Sequence, residues 1–192
     1  MRLTRADLYS LEEYAECRAD FRARVMAHKQ DRQVPVGPHA TLYFEDRLTM
    51  QYQVQEMLRA ERIFEARGIQ EELDTYNPLI PDGRNWKATF MIEYTDVDAR
   101  HAALVRLRGI EDRVWVQAGG DRVYAVADED LVRDDATRTS AVHFLRFELT
   151  ARVAEAVKAG AALTVGIDHP QYSHQVEPAA RVRDSLAADL SE

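Results

Sequence analysis

The chain has 192 residues, 46% hydrophobic and 30% charged, with 33 acidic against 25 basic side chains and a net charge of −8. That balance belongs to a folded globular chain, and it disfavours duplex nucleic acid as a partner unless basic groups gather in one place. The single cysteine, Cys17, excludes an internal disulfide and any iron–sulfur cluster held by this chain alone, and fits a reducing cytoplasm.

In chain order, Thr4 is placed to cap a short turn, and Ser10 with Glu13 has the spacing of a capping box. Leu11, Tyr14, Phe21 and Val25 then recur at helical spacing, predicting a helix to about Lys29 that stops before Pro35 and Gly37-Pro38. Its basic residues, Arg18, Arg22, Arg24, Lys29 and Arg32, point in several directions around the helix and are interrupted by Asp20 and Asp31, so they read as a solvated face. The charged first residues predict no secretory leader. The longest stretch free of Asp, Glu, Lys and Arg, residues 33–44, contains two prolines and is shorter than the roughly 20 residues of a bilayer span.

A second, longer helix is predicted from residue 45 or 48 to 66, closed by Gly68. Met50, Val54, Met57, Leu58 and Phe64 form one apolar arc on it, and Leu48, Tyr52 and Ile63 form another, so it should be covered on two sides. Glu61 falls within the first arc and Glu56 beside the second, where a carboxylate requires a partner or a raised pKa. Gln51, Gln55, Arg59 and Arg62 fill the sector between, a stripe suited to a small anion.

Residues 76–83 carry prolines and Asp-Gly and read as a loop, after which the apolar period changes from helical to alternating. Strands are predicted at 88–94, 114–118, 122–127, 140–149 and 161–167, with Gly119-Gly120 turning a hairpin. Helices are predicted at 96–108, from Thr150 to Lys158, and along the tail from 178 to 190. The expected architecture is α+β: a helical segment, 1–70, whose long central helix packs on a mainly antiparallel sheet of about five strands supplied by 71–192, in one compact unit.

Phosphate loops, dinucleotide fingerprints, nucleophile elbows and His-Glu-x-x-His are all absent from the sequence. Cys17 and His28 stand eleven residues apart, about 16 Å along a helix, and form no dyad. The densest polar stretch is Asp168-His169-Pro170-Gln171-Tyr172-Ser173-His174, after an apolar strand. With His39 at a Gly-Pro turn, Glu56, Glu61 and His143, its Asp168, His169 and His174 offer oxygen and nitrogen ligands of the kind that hold non-haem iron, zinc or manganese, provided that they converge. The competing expectation is that Asp168 and Pro170 only form a turn, and that the histidines and glutamates are paired within the fold.

Several blocks together carry a likeness: Gly37-Pro38-His39-Ala40-Thr41, Phe44-Glu45-Asp46-Arg47-Leu48-Thr49, Gln53-Val54-Gln55-Glu56-Met57-Leu58, Tyr76-Asn77-Pro78-Leu79-Ile80-Pro81-Asp82-Gly83, Gly109-Ile110-Glu111-Asp112-Arg113-Val114-Trp115, Ser140-Ala141-Val142-His143-Phe144-Leu145 and Asp168-His169-Pro170. The chain resembles, over nearly its whole length, a bacterial family classed only as a domain of unknown function. Members of that family look like genomic neighbours of rubrerythrin and of a cysteine-rich iron–sulfur oxidoreductase. The resemblance implies an accessory part in a peroxide- or redox-related system, with those two proteins as partners, and carries over no catalytic residues. A homo-oligomer is the other association expected; nucleic acid and membrane are not.

Overall fold

The computed structural model describes residues 2–127 and 138–191. Thr4 opens a 3-10 turn, Arg5–Asp7, its N–H and its hydroxyl both donating to the Asp7 carboxylate while its carbonyl accepts the Asp7 N–H. Ser10 and Glu13 likewise satisfy each other's free N–H groups at the start of α1, Leu11–Gln30. α1 is followed by two strands, β1 (Gln33–Pro35) and β2 (Ala40–Glu45), before α2 (Arg47–Glu61) begins. The stretch expected to be helical thus also supplies two strands. β2, paired with β1 and β3, shows no alternation because residues on both its faces are covered: Ala40, Thr41, Leu42, Phe44 and Glu45 are all buried.

α2 ends earlier than the apolar arcs suggest. Arg62 takes a left-handed conformation (φ 55), and its N–H and that of Ile63 both bond the Leu58 carbonyl, which closes the helix. Gly68 is not the cap. It lies in the first turn of a further helix, α3 (Ala66–Tyr76), where a Cβ would stand 2.7 Å from Ile63 Cγ2, so its missing side chain lets α3 fold back against the end of α2.

Beyond the loop come β3 (Asn85–Ile92), α4 (Val97–Arg106, capped by Asp96), β4 (Val114–Ala118), β5 (Asp121–Tyr124) and β6 (Val126–Ala127). Gly119 and Gly120 both have positive φ, as a tight hairpin turn of the kind that matches strand twist requires. β7 (Val142–Glu148), α5 (Ala151–Lys158, capped by Thr150), β8 (Thr164–His169), β9 (Tyr172–Val176) and α6 (Ala180–Ala187) complete the described order.

The strands form two antiparallel sheets, β1-β2-β3-β7-β6 and β5-β4-β8-β9, so the fold is α+β, with nine described strands in two sheets rather than about five in one. The residues expected as one strand at 122–127 divide between the sheets: β5 pairs β4, and β6 pairs β7. One apolar core joins the sheets, running from Leu42, Phe44, Trp86, Phe90 and Phe147 through Val116, Val165 and Ile167 to Leu104 of α4, Val153 of α5 and Leu186 of α6.

α2 is indeed covered on two sides, by α1 on one and by α3 with flanking loop residues on the other. Met50, Val54 and Leu58 pack with Leu3, Leu73 and Ile80, while Leu48 and Tyr52 pack on Phe21 and Val25 of α1. Its tie to the sheet is polar: the buried Glu45 carboxylate accepts from Thr49 Oγ1 of α2 at 2.6 Å and from Thr89 Oγ1 of β3 at 2.7 Å. Among the described residues no helix is long and apolar enough to cross a membrane.

Candidate functional site

The two glutamates of α2 have different fates. Glu56 is half-buried and fully engaged: Arg18 Nε and Nη2 each donate at 2.8 Å, one to each carboxylate oxygen, and Tyr14 Oη donates at 2.6 Å. These bonds hold its carboxyl below the ordinary glutamate value, the Arg18 contact first, with burial opposing. Burial of the ring, and then the same carboxylate, raise the Tyr14 phenol. Glu61, expected on an apolar arc, is exposed, because α2 stops there and the arc does not continue past Arg62.

The imidazoles lie apart in their bonding. His39 stacks on Tyr94 with ring centres 3.9 Å apart, and its Nδ1 stands 3.2 Å from the Glu93 carbonyl. Its backbone N–H donates to Tyr172 Oη, whose own proton goes to the Val36 carbonyl. The exposed His174 packs edge-on to Tyr172 and over Gly37, where a Cβ would come within 2.6 Å of it. His39 and His174 therefore flank one tyrosine.

His143 is on β7, with Nε2 at 2.9 Å from the Ser140 carbonyl, 3.1 Å from Thr139 Oγ1 and 3.9 Å from Glu111. His169 uses both ring nitrogens, Nε2 toward the Arg108 carbonyl at 3.1 Å and Nδ1 accepting the Gln171 N–H at 3.2 Å. Those bonds fix its tautomer and occupy both ring nitrogens. Asp168 accepts from Tyr124 Oη at 2.5 Å and faces Arg122 at 3.6 Å, while its Oδ1 is buried without a partner. Among the described residues no three His, Cys, Asp or Glu side chains gather so as to hold a metal ion.

The expected anion stripe also separates. Gln55 is fully buried, its Oε1 accepting the Tyr9 N–H at 2.7 Å and its amide facing the Tyr9 carbonyl, and Gln51 donates to the Asp7 carbonyl. The two glutamines fasten the segment before α1 onto α2. Arg59 and Arg62 are exposed.

What the sequence does not reveal is a buried charge network around Arg32, which is 2% exposed. Its guanidinium donates to the carbonyls of Phe44, Glu45 and Ser185, to Ser185 Oγ and, at 2.5 Å, to Asp189. Asp46 stands 3.5 Å from it, caps α2 through the Thr49 N–H and meets His28 Nε2 at 2.5 Å. Burial raises the Asp189 carboxyl despite Arg32. At Asp46 burial is outweighed by Arg32, the Thr49 N–H and His28 together, and the carboxyl is lowered. The network ties α1, β2, α2, α6 and the segment after α6 to one cation. Its only sequence signal is the Asp46-to-Thr49 capping spacing.

The α2–α3 corner combines acidic charge with an exposed aromatic ring. Residues 61–76 carry five carboxylates, Glu61, Glu65, Glu71, Glu72 and Asp74, against two guanidiniums, Arg62 and Arg67. Phe64 stands in this acidic stretch with 74% of its surface exposed. Burial, then repulsion from Glu61 and Glu71, raises the Glu72 carboxyl, so the acids crowd one another.

Residues 2–190 match the family model described as protein of unknown function (DUF3501). The chain belongs to the DUF3501 family. A crystal structure of a novel protein of unknown function from Burkholderia pseudomallei K96243 is 53% identical, with all of each chain covered and a TM-score of 0.94. No curated protein matches significantly. Membership in DUF3501 agrees with the likeness carried by the sequence blocks.

Proposed function

We propose that this DUF3501 protein is an accessory, docking component of an iron–sulfur and rubrerythrin-type redox or peroxide-stress system, acting through its surface rather than through chemistry of its own. The observation that carries this reading is Phe64, an aromatic side chain left 74% exposed within a stretch, residues 61–76, with a net charge of −3. An aromatic ring placed on the surface is available as the anchor of an interface, where a partner covers it. An aromatic anchor within a charged rim is the composition of a protein interface, and the acids favour a partner with a basic surface around an apolar recess. The redox system is supported by the family resemblance, and the iron–sulfur oxidoreductase is the proposed direct partner.

The groups that do acid–base or ligand chemistry in enzymes are here joined to the fold: Glu56 to Arg18 and Tyr14, His169 through both nitrogens, Glu45 to two threonines. That pattern supports a scaffold for a surface. Affinity capture from a native host at low salt tests the proposal. Recovery of the iron–sulfur oxidoreductase with rubrerythrin, declining as salt rises, is the expected result, and an eluate free of both overturns it.

A further inference from the structure

A cavity of about 460 Å³ lies between the segment leading into α1 and the α2–α3 corner. Leu8, Leu11, Leu58, Ile63, Phe64 and Ile69 give it an apolar lining, and its volume is in the range that holds small ligands. Two features separate it from an accidental gap. Arg62, the one non-glycine residue of positive φ among the described residues, sets the turn that presents Ile63 and Phe64 to the cavity. Left-handed backbone at a non-glycine position is strained and must be held by its surroundings.

The second feature is the pair of charges in the lining, Arg5 and Glu12, both exposed. Neither side chain makes an ion pair or hydrogen bond among the described residues, with each other or with any third group. The neighbouring acid, Glu13, is consumed by the Ser10 cap, whereas Glu12 is not. An apolar chamber that offers one free cation and one free anion has the complement of a zwitterion with an apolar side chain.

We infer that this cavity binds a free apolar α-amino acid, with its carboxylate on Arg5, its ammonium on Glu12 and its side chain among Leu58, Ile63 and Ile69. A dianion is disfavoured by Glu12 and a plain amine by Arg5, so both charged ends of the ligand contribute. The cavity shares Ile63, Phe64 and Ile69 with the proposed docking corner, but its two charges, Arg5 and Glu12, lie outside the 61–76 stretch, so variants at those two positions test ligand binding apart from docking.

L-leucine, L-leucinamide and N-acetyl-L-leucine are the probes, titrated against the whole chain by ligand-observed NMR and thermal shift. Leucine is expected to bind about tenfold more tightly than either derivative, as loss of one charge-assisted contact implies. Arg5→Ala should abolish the preference over leucinamide and keep that over N-acetyl-leucine; Glu12→Gln should do the reverse. Both positions are exposed, and unchanged melting temperatures of the variants would show intact folding. Equal binding of the three probes, no binding of leucine at millimolar concentration, or preferences untouched by the two variants would overturn the inference.

Discussion

Arg32→Met is the substitution with the largest expected consequence. Methionine retains much of the arginine's apolar volume but removes all five hydrogen bonds, two of them to Ser185 of α6 and one to Asp189. Asp189 and Asp46, whose side chains are only 10% and 16% exposed, then lose their common cation. Breaking a buried pair from one side costs about 3–5 kcal/mol, because the partner's charge stays buried. In a chain of this length each kcal/mol moves the melting temperature by roughly 2–4 °C, so a fall on the order of 10 °C is expected. Denaturant unfolding would give the free energy. Tryptophan fluorescence in a Trp115→Phe background would report α6, since Trp86 Nε1 donates to the Leu186 carbonyl. Asp189→Asn should then recover part of the loss when combined with Arg32→Met, where it removes an uncompensated charge, and recover nothing in the wild type. A loss under about 1 kcal/mol, or the same effect of Asp189→Asn in both backgrounds, would refute the argument that the network is held by burial.

Three further outcomes follow from other contacts. In Gly166→Ala the new methyl would lie 2.2 Å from Trp115 Cζ2, under a ring that Arg122 covers at 3.7 Å, so a loss of about 1–3 kcal/mol is expected, and unchanged stability with unchanged tryptophan emission would contradict it. The Glu56 carboxyl is lowered in the folded state, so its contribution is present above the ordinary value of 4.5 and lost as pH falls through the lower folded value; Glu56→Gln should flatten the acid limb of melting temperature against pH, and an unaltered limb counts against the Arg18 pairing. Because His39, Glu56, Glu61, His143, Asp168, His169 and His174 do not converge, tag-free protein should carry below about a tenth of an equivalent of iron, zinc or manganese, and a stoichiometric metal that raises the melting temperature would revive the metalloprotein reading.

The elements legible in the sequence are those whose signals are local. The turn after Thr4, the caps at Ser10 and Thr150, the Gly119-Gly120 turn and the alternation of Leu163, Val165 and Ile167 concern neighbours within a few residues, and each reappears in the fold. β2 is hidden because a central strand buried on both faces loses its alternation, and Thr41 and Glu45 look like surface residues until Glu93, Thr49 and Thr89 meet them. β9 resembles a turn in sequence because Pro170 and a polar run precede and fill it, the usual composition of a sheet edge.

At the candidate sites the same division holds. Burial of Glu56 follows from helical spacing, whereas exposure of Glu61 depends on Arg62 leaving the helix, which no spacing rule marks at an arginine. Arg32 groups in sequence with the solvated arginines of α1, yet it sits two residues past that helix, where the chain turns inward and partners from residues 44 to 189 surround it. Contacts across such distances in sequence carry no periodic signature. The α2–α3 corner escapes for a related reason: Phe64 matches an apolar arc on a helix that ends before reaching it.

Docking at the α2–α3 corner, as proposed, is tested by the affinity of the purified iron–sulfur oxidoreductase for the wild-type chain and for Phe64→Ala. Truncating an interface anchor is expected to weaken binding by about tenfold or more while leaving the melting temperature unchanged, because the ring makes little contribution to the core. Equal affinity of the two chains, or no measurable affinity of the wild type at low salt, would contradict the account.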